Sequence, residues 1–304
     1  MLKLTLYIGN ADHTARPVAI AQMADKAGLY GVAIGEHVSL GSDLTNYPYE
    51  GGLAYGDAGR KPYLEPLVWQ GAVAATTTQI RITNCVLLGP LRPAVLLAKQ
   101  ITSVDVISNG RVEPCFGTGW SRDEYASLNV DFPKRRAILR DNIAACRTLW
   151  ESQPATFASD SVSFTDLYQM PQPVQQRIPI FLAAKANAQN CKLVAELGDG
   201  WETGPDDSKS LDKLREGSAL YRDAFAAAGR DPAALRVRAH LPVHLTADGT
   251  WFDFDRIFGH VAPMRAAGVT EFALGTLGRL EGLFDSMDKI ERYIGELAAH
   301  AARH

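Results

Sequence analysis

Residues 80–125 constrain the fold more than any other stretch of the chain. Ile80–Leu87 is β-branched and apolar, Pro93–Ile107 carries apolar residues at helical spacing, and Asn109-Gly110 supplies a stop after that helix. Val112–Phe116 then resumes an apolar run that ends in Gly117-Thr118-Gly119-Trp120. Strand, helix and strand in that order make a βαβ unit, and such a unit demands a parallel sheet covered by helices.

The same alternation continues along the whole chain. Strands are expected at Lys3–Ile8, Gly31–Ile34, Ile80–Leu87, Arg111–Phe116, Ile178–Ala183, Asp199–Glu202, Leu235–Leu245 and Val269–Leu274, each followed by a helical pattern. Eight such units in 304 residues predict an α/β fold, a (β/α)8 TIM barrel forming a single domain over 1–304. Two insertions interrupt the repeat: Ser39–Pro62 after strand two and Glu151–Arg177 before strand five. A doubly wound sheet would want Gly-x-Gly-x-x-Gly at the first turn, where this chain has Gly9-Asn10-Ala11-Asp12-His13.

In a TIM barrel the active site sits at the C-terminal ends of the strands, which selects candidates directly. Strand two delivers Glu36-His37, strand three Cys85-Val86, strand four Gly117-Thr118-Gly119-Trp120, strand five Ala183-Ala184-Lys185, strand six Trp201-Glu202 and strand eight Gly275-Thr276. An imidazole titrates near neutrality, so His37 can move a proton; as a lone histidine at a strand end it could equally be packing. Two glycines around Thr118 remove Cβ atoms where a backbone could approach a ligand, or simply make a tight turn. Lys185 lies just before a helix start near Asn187, which suits an anion, although a lysine is also an ordinary surface charge. Gly275-Thr276-Leu277-Gly278-Arg279 could hold a phosphate or only turn the chain. Arg236, Arg238, His240 and His244 share one face of strand seven by period two and read as structural; His240 and His244 would stand about 13 Å apart, too far to share one metal. Pro114 cannot donate to a strand ladder and predicts a bulge or break.

Pro90-Leu91-Arg92-Pro93, Ala98-Lys99-Gln100, Asp105-Val106-Ile107-Ser108-Asn109-Gly110-Arg111 and Gly117-Thr118-Gly119-Trp120, in that order, resemble the luciferase-like family of flavin- and deazaflavin-dependent oxidoreductases, and most of all its F420-type branch. The resemblance implies F420 or FMN as cofactor, a small organic substrate and two-electron transfer as hydride, or, with reduced FMN, a monooxygenase reaction. It places His37 facing the cofactor ring and implies a cis peptide at Cys85-Val86 behind the ring; Glu36, beside His37 in sequence, is read as the partner that orients it, and by itself Cys85 reads as a small core residue. Gly117, Thr118, Gly119, Trp120, Ala183, Ala184, Lys185 and Thr276 are then the further candidates for holding the cofactor. Three departures stand out. Pro114-Cys115 replaces the usual Leu-Gly, and Ala183-Ala184 replaces a Gly-Gly that approaches cofactor phosphate. Trp120 stands where sugar-phosphate dehydrogenases of the F420 branch carry a glutamate. Glu36, where F420 members often have aspartate, points toward FMN. A barrel that binds a flavin or small ligand without catalysis is the alternative.

Composition adds exclusions. With 46% hydrophobic and 21% charged residues and a net charge of −3, neither nucleic acid nor an anionic membrane is an expected partner. The first residues lack a basic start followed by an apolar run, and Cys85, Cys115, Cys146 and Cys191 show no C-x-x-C pair. A cytoplasmic protein with reduced thiols and no metal site is expected, with a homodimer as the candidate assembly.

Overall fold

The computed structural model of the chain describes residues 2–8, 16–41, 63–275 and 283–304. β1 (Leu4–Tyr7), α1 (Pro17–Lys26), β2 (Gly31–Ile34) and α2 (Pro66–Thr76) open the order. β3 (Arg81–Asn84), β4 (Leu87–Leu88), α3 (Ala94–Ser108), β5 (Val112–Glu113) and β6 (Cys115–Gly117) follow. Next come α4 (Arg122–Ser127), α5 (Arg135–Glu151) and an antiparallel hairpin of β7 (Ala155–Ala158) and β8 (Ser163–Leu167). β9 (Phe181–Ala183), α6 (Ala188–Leu197), β10 (Gly200–Glu202), α7 (Pro205–Ser208) and α8 (Leu211–Ala227) lead into β11 (Arg236–His240). The order closes with α9 (Phe254–Phe258), α10 (Val261–Ala266), β12 (Glu271–Gly275) and α11 (Met287–Ala301).

All strands outside the hairpin join one curled parallel sheet of ten segments, ordered β4-β6-β9-β10-β11-β12-β1-β2-β3-β5. Its two ends are halves of two neighbouring strands. β3 and β4 are separated by the Cys85–Val86 peptide, which is cis, and β5 and β6 by Pro114. β3 pairs with β5 through Ile82 and Val112, and β4 with β6 through Leu87 and Phe116. Pro114 thus interrupts the ladder as its missing N–H requires, while its carbonyl still accepts from Phe181 N at 2.9 Å.

Period two divides each strand between two environments. Leu4, Leu6, Val32, Ile82, Phe116, Leu182, Trp201, Val237, Phe272 and Leu274 face the helices and form the main apolar core. The alternate residues face inward, and many are polar. Arg238, fully buried, lies 3.4 Å from Glu113, 3.3 Å from Glu202 and 3.2 Å from Glu271, with its guanidinium 4.0 Å above the Phe181 ring. One layer lower, Arg236 joins Glu113 at 2.8 Å and Glu271 at 2.5 Å, and Lys3 reaches Glu271 at 3.4 Å. With Arg81 3.8 Å from Glu113, four cations thus face three carboxylates. The polar face of strand seven, expected to be structural, is thus an interior ion-pair network. β11 also stops at His240, so His244 lies beyond it, its Nε2 2.9 Å from that of His260.

Several resembling motifs hold the fold at the other end of the strands. Asp105 accepts from Val174 N at 2.7 Å and from Gln175 Nε2 at 2.7 Å; Asn109 takes the left-handed conformation (φ 55°) that ends α3. Arg111 donates to the carbonyls of Ala74, Thr77 and Ile80, all at 2.9 Å, closing the C-terminal end of α2. Asp199, just before β10, binds Arg147 at 2.6 Å, Arg177 at 2.9 Å, Arg230 at 3.0 Å and Ile180 N at 3.0 Å. Burial works against its charge, but Arg147, the Ile180 N–H and Arg177 outweigh burial and lower its pKa. A carboxylate with a depressed folded pKa stabilises above its unfolded value of about 3.9 and loses that contribution as pH falls through the folded value. Thermal stability is therefore expected to fall with acidification below about pH 4, and Asp199→Asn is expected to flatten that acid limb. Parallel melting curves of the two proteins from pH 7 to pH 3 would show Asp199 playing no part.

Candidate active site

The C-terminal ends of β2, β3–β4 and β6 bring His37, the Cys85–Val86 bulge and Trp120 into one neighbourhood. The His37 ring packs edge-on against Tyr63 (centroids 4.9 Å apart) and Trp120 (5.5 Å). Its Nδ1 lies 3.3 Å from Glu124 Oε2, and the other oxygen of that fully buried carboxylate accepts from Val38 N at 2.5 Å. The Glu124 carboxylate fixes which ring nitrogen of His37 is tied down and leaves Nε2 to exchange a proton.

Glu36, expected to orient His37, is engaged elsewhere. It accepts from Leu88 N at 2.6 Å and pairs with Arg92 at 2.5 Å, and Arg92 also binds Glu65. Burial raises its carboxyl, and Arg92 and the Leu88 N–H pull it back. The Glu36 carboxylate thereby ties the end of β2 to β4 and the start of α3. Glu124 was visible in the sequence only as the acidic opening of a helix. Ser121-x-x-Glu124 has the spacing of a capping box, which would turn the glutamate back on its own N-cap. Ser121 Oγ does accept from Glu124 N at 3.4 Å, but the carboxylate turns to β2 instead.

Both glycines of the strand-four ending are demanded by protein contacts. A Cβ on Gly117 would stand 2.4 Å from Val86 Cγ2, and one on Gly119, at φ +65°, 3.1 Å from Leu88 Cδ2. The Thr118 carbonyl accepts the Tyr125 hydroxyl. Gly117→Ala is therefore expected to cost about 1–3 kcal/mol through overpacking, with most of the loss recovered in the Gly117→Ala/Val86→Ala double variant. Denaturant unfolding of the three proteins measures this; additive losses would contradict the contact.

At strand five, the Ala184 carbonyl accepts Trp201 Nε1 at 2.8 Å and the Lys185 carbonyl accepts Asn190 Nδ2 at 2.9 Å. Asn187 caps α6 through Asn190 N at 3.0 Å, and the Lys185 side chain is exposed beside that helix start. Thr276 and Arg279 lie outside the described residues. Cys85 packs against Tyr7, Ala33 and Ala273 on the inner side. Among the described residues no cluster of three or more His, Cys, Asp or Glu is placed to hold a metal, and no helix is long and apolar enough to cross a membrane.

A second group at the strand ends was missed by sequence reasoning. Tyr7, Glu202 and His240 are the last residues of β1, β10 and β11. Tyr7 donates its hydroxyl to Glu202, His240 Nε2 lies 3.5 Å from the same carboxylate, and the Tyr7 and His240 rings meet edge-on at 4.9 Å. Their common inward period on separate strands was the available signal.

A sequence model described as luciferase-like monooxygenase matches residues 5–250. An uncharacterised protein of Mycobacterium tuberculosis is 30% identical over 298 residues, 98% of each chain. An F420-dependent glucose-6-phosphate dehydrogenase of Amycolatopsis mediterranei is 30% identical over 60% of this chain and 51% of its own. Among solved structures, a monooxygenase of Streptomyces bottropensis superimposes with a TM-score of 0.76 at 19% identity, covering 99% of both chains, which shows a shared fold. With the family model spanning most of the chain and a relative aligned over nearly all of it, this protein belongs to the luciferase-like monooxygenase family.

Proposed function

We propose that the chain is a single-domain (β/α)8 oxidoreductase over residues 1–304 that moves hydride between a bound F420, or FMN, and a small organic substrate. The observation that carries this reading is the His37–Glu124 pair set between the Tyr63 and Trp120 rings, beside the Cys85–Val86 bulge. The groups present fit such a cofactor: flat aromatic edges around an imidazole for a ring, and for phosphate the start of α6 with an exposed Lys185 beside it. Gly117, Thr118, Gly119, Trp120, Val86, Ala183 and Ala184 would line the approach. When bound, the cofactor supplies the two-electron chemistry.

The chain's own residues do the rest. Glu124 orients His37 through Nδ1; His37 takes or gives the proton at the substrate through Nε2. Glu36 and Arg92 hold β2 against β4 so that this geometry persists. Trp120, at the place of a glutamate proton donor in F420-dependent sugar-phosphate dehydrogenases, favours a less polar substrate than a sugar phosphate. Glu36 in place of aspartate favours FMN, and F420 is favoured by the wording of the motifs.

Titration of the purified protein with F420 and with FMN, followed by ring fluorescence, tests the reading. Binding of one of them in the micromolar range or tighter is expected. Lys185→Ala is expected to weaken that cofactor about 10–150-fold and to leave a phosphate-free analogue nearly unaffected. Failure of both cofactors to bind at high micromolar concentration would sink the oxidoreductase reading. Equal weakening of both ligands by Lys185→Ala would move the anion site elsewhere.

A further inference from the structure

Resting on the reading of the strand ends as the redox site, we propose that His240 is a second acid–base group of that site, positioned by Glu202. Three strands that are far apart in sequence end on one carboxylate. Glu202 Oε1 receives the Tyr7 hydroxyl and has His240 Nε2 at 3.5 Å, while Oε2 is held by Arg238 at 3.3 Å. With both oxygens occupied the carboxylate has a fixed plane, and the buried guanidinium on one side is its charge partner. The charged and titratable groups around it are Tyr7 from β1, Cys85 from the bulge, Cys115 from β6, Arg238 one turn of the pleat below and Glu202 itself.

Exposure assigns the roles. Arg238, Glu202 and Tyr7 are all buried, whereas the His240 side chain is 22% exposed. Of this set, His240 is therefore the member that can exchange a proton with a ligand or with water. Burial, with the Cys85 and Glu202 charges, holds the Tyr7 phenol well above its ordinary pKa, so it stays a donor. The backbone is anchored too: His240 N donates to Ser208 Oγ at 3.0 Å, and that hydroxyl meets Thr203 Oγ1 at 2.6 Å. Tyr7 packs against Cys85, which joins this group to the bulge beside His37.

The chemistry follows from the tautomer. With Nε2 the ring nitrogen nearer Glu202, at 3.5 Å, a neutral ring protonated there keeps Nδ1 as a proton acceptor. The protonated ring gives its Nδ1 proton to a ligand oxygen that gains negative charge, as a carbonyl does when it becomes an alcohol. Glu202 faces the ring as its carboxylate partner, and water returns the proton. A site with two such groups, His37 and His240, suits substrates that carry an oxygen at the reacting carbon.

The test reads the histidines without any cofactor. Ring C–H resonances of the seven histidines are titrated by NMR, with His240 assigned as the signal lost in His240→Asn. Glu202→Gln is expected to lower the His240 midpoint by about one pH unit, a tenfold loss of proton affinity. Tyr7→Phe should raise it and neither should move His37. An unmoved His240 midpoint in Glu202→Gln overturns the proposal. If Glu202→Gln fails to fold, the pH dependence of F420 or FMN affinity in His240→Asn decides instead: loss of one limb supports the proposal, and an unaltered profile overturns it. Absence of cofactor binding by the parent protein is a separate failure, of the redox reading, and the NMR titration stands apart from it.

Discussion

His37→Ala is expected to turn over its substrate about 10²–10⁴-fold more slowly than the parent protein, the range that a positioned general acid or base supplies. Cofactor affinity and melting temperature should move little by comparison, because the ring packs on Tyr63 and Trp120 at the strand ends and not in the apolar core. Glu124→Gln separates orientation from chemistry. It keeps the Val38 N–H contact available while removing the charge that holds Nδ1 of His37. Its kcat is expected to fall less than that of His37→Ala, with a shifted pH profile. Steady-state kinetics across pH 5–9 on any substrate found provides the measurement. An unchanged kcat in His37→Ala would reduce the imidazole to a packing element between two aromatic rings.

Arg238→Met should produce the largest loss of stability of any single change in the sheet interior, about 3–5 kcal/mol. The substitution keeps the long aliphatic stem above Phe181 but leaves Glu113, Glu202 and Glu271 facing one another with only Arg236, Lys3 and, 3.8 Å from Glu113, Arg81 to balance them. The direction follows from the asymmetry of buried charge: a complete cluster is near balance, whereas one missing partner strands the others. Two groups record the coupling. Burial opposes the Arg238 charge, yet Glu202, Glu271 and Glu113 together raise its pKa well above the ordinary value. Burial likewise opposes the Glu271 charge, and Arg238 and Arg236 lower its pKa below the usual carboxylate range. Adding Glu202→Gln and Glu271→Gln to Arg238→Met should recover part of the loss. Urea unfolding of the variants checks it, and a change in Arg238→Met below about 0.5 kcal/mol would mean the cluster is not what holds the interior.

The repeating strand and helix pattern was legible because it is local. Val112–Phe116, Asn109-Gly110 and the alternating core residues of β1 and β11 each carry their structural preference in neighbouring side chains and backbone dihedrals. Pro114 announced the interruption of its strand for the same reason: a missing N–H needs no partner to be read. The helical pattern expected after strand seven is two helices, α9 and α10, separated at Gly259-His260. Both halves keep apolar residues at helical spacing, and a glycine at the junction is a weak signal against continuity.

The site was legible in part. Position at a strand end picked out His37, and the motif wording picked out Gly117-Thr118-Gly119-Trp120. The partner of His37 was missed because Glu36 is adjacent in sequence and Glu124 is not, and only the packing of α4 against the end of β2 decides between them. Arg238 and His240 read as structural from their shared face on strand seven, but period two alone does not say which way that face turns. Here that face turns into the curled sheet, where charges persist only in mutual pairs. The amino-acid sequence thus determined by itself the order of strands and helices, the parallel sheet and the strand ends where chemistry can sit, since these follow from period, caps and turns. Only the tertiary structure decided which carboxylate serves which histidine and which polar face is interior, because those depend on side chains that are brought within a few ångströms by curling the sheet.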